Sequence, residues 1–182
     1  MNPNATITDE QFQAFLKKVR ELVEGPYTEW QKEIEVTNTF PEKFYQSNIE
    51  NNIYRFSLPV EYGGWGLNEK EILQVQEEFS RGPSGMRMHM HYASDLNWRI
   101  LDDFGKPELK AEYMPKFQDK TIFTNFALTE KTGGTGADLH TTAIKQEDGT
   151  YLLNGEKWLI SHTHCSQFSY VIAVTDPEKS GD

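Results

Sequence analysis

The chain has 182 residues, enough for one domain or a domain and a half, and its 37% hydrophobic and 13% aromatic content supports a packed core. A formal net charge of −10 without a clustered basic stripe argues against nucleic acid or an anionic membrane surface as a partner. The single cysteine, Cys165, excludes an internal disulfide, and no apolar run approaches the ~18 residues of a membrane span. The polar segment Met1 to Glu10 lacks the basic and apolar regions of a signal peptide, so a soluble cytoplasmic protein is the expectation.

Thr8 followed by Gln11 forms a capping box. Phe12, Phe15, Leu16, Val19, Leu22 and Val23 then fall at helical spacing, and Gly25-Pro26 stops that helix. A weaker helical pattern covers Glu29 to Val36. Pro41 suits a first helical position, and a helix is predicted from Phe44 to Ile53. Tyr62-Gly63-Gly64-Trp65-Gly66 is a tight connection. The next helix starts near Asn68, with Glu71 three residues on, and carries Ile72, Val75 and Phe79. Arg81-Gly82-Pro83 ends it. Ser84 is placed to cap one long helix that reaches Phe104 and stops at Gly105. Pro107 opens a short helix ended by Pro115.

From here the periodicity changes. An apolar strand runs from Ile122 to Leu128, followed by the turn-rich run Thr129 to Asp138. Two strand-like segments, Thr141 to Gln146 and Tyr151 to Ser161, are joined by the hairpin signal Asp148-Gly149. A further strand covers Phe168 to Thr175. Helices followed by strands predict an α+β chain of two units, 1–120 and 121–182, rather than an alternating layout. The glycines after the first strand admit two readings, a plain turn or a backbone cradle for an anion. No helix opens after them, which argues against a Rossmann nucleotide site.

The residues Thr129, Glu130, Gly134, Gly136, Asp138, Thr142, Ala143, Asp148, Gly149, Tyr151, Leu153, Asn154, Gly155, Lys157, Ile160 and Ser161 follow a fixed order. That order closely resembles the middle domain of the acyl-CoA dehydrogenase family. Leu58-Pro59-Val60-Glu61-Tyr62-Gly63-Gly64-Trp65-Gly66 resembles the family's L-P-E-E-Y-G-G-x-G run. Gly105 with Pro107, Leu109, Lys110, Tyr113 and Pro115 resembles its G-x-x-x-L-K-x-x-Y-L-P segment. The resemblance covers nearly the whole chain. It implies an all-helical N-terminal domain packed against a partial β-barrel, with FAD at their junction. It further implies that Phe126, Leu128 and Thr129 touch the flavin ring, Thr129 offering a hydroxyl to the pyrimidine edge. Gly136 and Ala137 are implied to meet the FAD pyrophosphate through their amides. Leu159, Ile160 and Ser161 are implied to form a strand on the other ring face, with Ser161 at flavin N5. Leu159 and Ser161, two apart on a strand, project to one side.

The chain departs from the family pattern in several places. Ala137 stands where serine is common, which removes one hydroxyl contact worth ~1 kcal/mol. The loop is two residues longer, with Lys131 and Thr132 in the extra space; Lys131 either complements the pyrophosphate or is solvated. A tryptophan often stands where Leu159 is, and Trp158, one residue off, is expected to face into the barrel. The family continues through the rest of the β-domain and a helical bundle that carries the catalytic carboxylate and much of the subunit interface. No substitute base is identified here: Glu130 and Glu156 belong to the motifs, and Asp95 either borders an acyl pocket or caps a helix.

His89, His91, His140, His162 and His164 do not converge at metal-ligand spacing, so no metal site is expected. Cys165 has no base motif beside it and is read as a free thiol. Met86, Met88 and Met90 either pack in the core or line an acyl channel. The resemblance therefore implies the N-terminal portion of an FAD-dependent oxidoreductase of fatty acid metabolism that desaturates an acyl-CoA. Its implied partners are a missing C-terminal half or homo-oligomer subunits, and an acceptor like electron-transfer flavoprotein. The alternatives are a non-catalytic interaction subunit and the related flavin monooxygenase chemistry.

Overall fold

The computed structural model describes residues 4–93, 97–118, 122–131 and 138–176. The chain divides into two compact units, Met1–Phe123 and Thr124–Asp182. The first is all-helical. Helix α1 (Asp9–Glu24) is opened by Thr8, whose hydroxyl accepts from the Gln11 N–H at 3.2 Å while the Gln11 side chain accepts from the Thr8 N–H at 2.8 Å. Its apolar spacing puts Phe12, Phe15, Val19 and Val23 on one buried face. Pro26, which needs no N–H partner, opens α2 (Pro26–Thr37).

Helix α3 (Glu42–Glu50) starts one residue later than Pro41, whose extended backbone lets its carbonyl cap the helix by accepting from Phe44 N at 2.9 Å. It also ends before Ile53, because Asn52 turns left-handed (φ 56°) and starts a 3-10 turn over Ile53–Arg55. Helix α4 (Glu69–Phe79) has the reciprocal Asn68 and Glu71 cap that the spacing predicts, and it buries Ile72, Val75 and Phe79. The long helix expected from Ser84 to Phe104 is two helices, α5 (Ser84–His91) and α6 (Asn97–Phe104). After His91 the backbone widens into a π turn at Tyr92 and Ala93. Ser84 is the first helical residue and makes no side-chain cap; Pro83 precedes it in the capping position. Helix α7 (Pro107–Tyr113) runs into a 3-10 turn, Met114–Phe117.

The helical core is rich in aromatic rings. At its centre His89 is fully buried, 5.0 to 5.6 Å from the rings of Phe40, Phe44, Tyr45 and Phe123. A polar relay reaches it. The Tyr27 hydroxyl donates to Asn48 Oδ1, Asn48 Nδ2 donates to the Tyr54 oxygen at 3.0 Å, and Tyr54 lies 3.3 Å from His89 Nε2. Arg20 forks onto Glu78 at 2.6 and 2.8 Å and ties α1 to α4, with Arg81 adding a bond at 2.9 Å.

The second unit is a partial β-barrel. Strand β1 (Thr124–Ala127) pairs in parallel with β4 (Phe168–Val171), placing Asn125 opposite Ser169 and Phe126 opposite Tyr170. Strands β2 (Thr142–Lys145) and β3 (Tyr151–Asn154) form an antiparallel hairpin. Gly149 (φ 85°) supplies its left-handed corner, and Asp148 Oδ1 accepts from the Thr150 N–H and hydroxyl. The ladders join at Val174, which exchanges hydrogen bonds with Thr141 and Ala143. On the far side Trp158 N donates to Thr129 O at 2.8 Å, so the chain after β3 returns to the end of β1.

Four expectations are corrected in this unit. β1 starts at Thr124, since Phe123 is absorbed into the helical core. β3 ends at Asn154 rather than Ser161, because Gly155 (φ 155°) lies so close to Thr141 that a Cβ has no room. Leu159 (φ 53°) and His162 (φ 65°) are left-handed, so Leu159, Ile160 and Ser161 are not a strand, and alternation does not put Leu159 and Ser161 on one side. Trp158 does not face inward: it is 41% exposed, with Lys131 Nζ 5.0 Å above its ring.

Candidate functional site

The site is built where the end of β1 meets the segment after β3. Phe126 is half-buried in β1, and Leu128 and Thr129, also half-buried, follow the strand. Lys157 Nζ donates to Leu128 O at 2.9 Å, and Trp158 N holds Thr129 O. These bonds bring residues 128–129 against 157–158, so Leu159, Ile160 and Ser161 leave directly from the junction. Neither the N–H nor the hydroxyl of Thr129 has a partner among the described residues, and the same holds for the exposed Ser161 hydroxyl. Leu159 is 81% exposed. Three donors and an uncovered apolar side chain around one junction fit a planar heterocycle with a polar edge. Gly136 and Ala137, the residues assigned to the pyrophosphate, lie outside the described residues, as does Asp95.

Behind the junction is a buried ion pair. Lys157 Nζ lies 2.9 Å from Glu130 Oε1, and Glu130 also accepts from Thr141 N at 2.8 Å and His140 N at 2.7 Å. The Lys157 ammonium first, and then these donors, hold the Glu130 carboxyl far below the usual carboxylate range. A carboxylate paired with a buried ammonium and held so far below its usual range is a weak base for a substrate proton. The sequence singled out Glu130 and Lys157 only as motif members; that they pair was not readable from their spacing of 27 positions.

A cavity of about 320 Å³ opens beside Lys157, lined by Asn125, Ala127, Ile160, Thr163 and Ser169. Asn125 is 2% exposed and its Oδ1 has no hydrogen-bond partner. Burial pushes Tyr170 up to about 12, and burial together with the neighbouring His164 brings His162 down to about 4. Among the described residues no three His, Cys, Asp or Glu side chains stand close enough to hold a metal ion. The Cys165 thiol is half-buried against His162 O at 3.4 Å. Met86 and Met90 are core residues, and Met88 is 40% exposed. No described helix is long and apolar enough to cross a membrane.

Residues 8–121 match the acyl-CoA dehydrogenase N-terminal domain, and residues 125–182 match the acyl-CoA dehydrogenase middle domain. The chain belongs to the acyl-CoA dehydrogenase family. It is 32% identical over 177 residues to the cyclohex-1-ene-1-carbonyl-CoA dehydrogenase of Syntrophus aciditrophicus, covering 95% of this chain and 42% of that one. A glutaryl-CoA dehydrogenase solved with glutaryl-CoA superposes with a TM-score of 0.84 at 26% identity, covering 96% of this chain and 45% of that one. A Mycobacterium smegmatis glutaryl-CoA dehydrogenase in complex with FADH2 shares the fold, with a TM-score of 0.81 at 23% identity, over 93% of this chain and 44% of that one. This acyl-CoA dehydrogenase-family chain thus spans less than half the length of these relatives. Its architecture, a helical N-terminal domain followed by a partial β-barrel, is theirs.

Proposed function

We propose that this chain is the helical domain (1–120) and the first part of the flavin-binding β-domain (121–182) of an FAD-dependent acyl-CoA dehydrogenase acting in the cytoplasm. The observation that carries the reading is the junction of residues 128–129 with 157–158, which leaves the Thr129 and Ser161 donors unengaged beside exposed Leu159. When bound, FAD supplies the two-electron acceptor for the hydride that leaves the β-carbon of an acyl-CoA thioester. Thr129 meets the pyrimidine edge with its amide and hydroxyl, whose burial without partners would otherwise cost ~1–3 kcal/mol each. Phe126, Leu128, Leu159 and Ile160 exclude water from the ring, and Ser161 donates near N5. Gly136 and Ala137 hold the pyrophosphate. Since Glu130 is spent on Lys157, the α-proton goes to a carboxylate outside residues 1–182. The remaining partners are the complementary helical half or further subunits, and a flavoprotein acceptor of the electron-transfer type.

A second reading is an interaction subunit without catalysis. What favours it is β3, whose residues are exposed on both faces, with Tyr151, Leu152 and Leu153 at 56, 63 and 53%. Titrating the purified chain with FAD, followed by flavin fluorescence and the visible band, separates the two. Saturable uptake is expected, reduced in Gly136→Val because a branched Cβ blocks approach to phosphate. A chain that stays colourless with excess FAD overturns the flavin assignment and leaves the interaction subunit standing.

A further inference from the structure

The Lys157 side chain is 10% exposed, and its buried ammonium does more than neutralise Glu130. Glu130 already takes two backbone N–H groups, at 2.7 and 2.8 Å. The second bond of the lysine goes to a main-chain carbonyl, Leu128 O, at 2.9 Å. That oxygen belongs to the peptide unit whose other end is the N–H of Thr129. A peptide is planar and trans, so its C=O and N–H point in opposite directions. The cation therefore sits behind the donor, and the donor points away from it. Polarising a carbonyl strengthens the N–H of the same unit as a hydrogen-bond donor, and more so at low local dielectric. Among the described residues that N–H has no acceptor. The Thr129 carbonyl, in the next peptide along, accepts from Trp158 N at 2.8 Å and anchors the chain on the other side of that residue.

We infer that Lys157 is a positioning residue that acts through the Leu128–Thr129 peptide to favour a negatively charged acceptor at Thr129 N–H, and so discriminates reduced from oxidised flavin. The inference rests on the flavin reading above. The pyrimidine edge of a flavin becomes more negative on reduction, so a donor backed by a cation binds the reduced form preferentially. Lys157 itself stays on the far side of the peptide and needs no contact with the cofactor. Its role differs from that of a plain buried ion pair, which would hold the fold equally for both redox states.

The test is a pair of anaerobic titrations, with oxidised FAD and with dithionite-reduced FAD, on the parent chain, Lys157→Met and Lys157→Arg. In Lys157→Met the affinity for reduced FAD should fall about tenfold further than that for oxidised FAD, the scale of one charge-assisted hydrogen bond. Lys157→Arg should recover most of the difference. Leaving Glu130 buried without its partner can unfold the unit. The double change Glu130→Gln with Lys157→Gln keeps a neutral donor at the Leu128 carbonyl, and should show the same selective loss. The Thr129 amide nitrogen, whose NMR shift reports what the Leu128 carbonyl bonds, should move in every charge-removing variant without FAD. Equal losses for the two redox states, or an unmoved Thr129 resonance, overturn the inference and leave the flavin site intact. A parent chain that takes up neither form brings down the flavin assignment and this inference together.

Discussion

The helical and the β units differ in core: among the described residues the buried hydrophobic side chains lie in the helical unit, and Ala127 is the one that the β unit contributes. In the helical unit a relay runs from Tyr27 through Asn48 and Tyr54 to His89, and Glu78 is forked by Arg20. Tyr27, Phe44, Tyr45, Tyr54 and Phe123 are buried around that relay, whereas Phe104 is 84% exposed. In the β unit the buried Asn125 Oδ1 is left without a partner, and Tyr151, Leu152, Leu153 and Leu159 stand more than half exposed. The contrast teaches where each unit's free energy goes. The helices enclose an apolar core and carry stability, whereas every residue of β3 is exposed and Thr129 keeps donors that have no partner among the described residues.

The sharpest way to break the comparison is to hollow the helical core. Phe44→Ala, at a fully buried ring packed on Tyr27 and His89, should cost ~3–5 kcal/mol in urea unfolding. A smaller loss would mean that the helical unit is less tightly packed than its burial indicates. Tyr54→Phe should cost ~1–3 kcal/mol, because it removes the oxygen that accepts from buried Asn48 Nδ2 and lies 3.3 Å from His89 Nε2. An unchanged melting curve for this variant would remove the relay from the list of stabilising contacts.

Acid offers a milder probe. The hydrogen bond from Arg20 holds the Glu78 carboxyl below its ordinary value of 4.5. A depressed carboxyl contributes stability that is fully present above the unfolded value and is lost as pH falls through the folded one. Stability of the helical unit should therefore decline below about 4.5 in the parent, and the slope should flatten in Arg20→Ala, as read by urea midpoints across pH. Parallel slopes would assign the acid response elsewhere. The smallest effect is expected in the β hairpin. Leu152→Ser should change stability by less than ~0.5 kcal/mol, since the side chain is 63% exposed, while reducing self-association in sedimentation velocity. A large destabilisation there would show that Leu152 is already covered, and the contrast between the units would lose its basis.

Local chemistry was legible at the helix caps and the hairpin corner. The capping boxes at Thr8 and Asn68 involve neighbours three residues apart, so spacing suffices to read them. The Asp148-Gly149 corner was legible for the same reason. Within the stretch read as a single helix from Ser84 to Phe104, apolar spacing does not reveal the π turn at Tyr92 and Ala93. The strand through Ser161 was misread because Gly155 looks like any strand glycine until Thr141 is seen against it. At the candidate site, Thr129 and Ser161 were named from resemblance, but the bonds that bring their segments together came only with coordinates.

The order of elements, the helix faces and the switch from helical to strand periodicity are written in the sequence, since each depends on residues within a turn or two. Tertiary structure alone decided that β1 takes β4 as its parallel neighbour, that Lys157 reaches back to Leu128 and Glu130, and that Leu159 adopts a left-handed backbone. Those outcomes join residues far apart along the chain. Local preference is silent about such pairs, and burial of charge and hydrogen-bond satisfaction select them once the chain is compact.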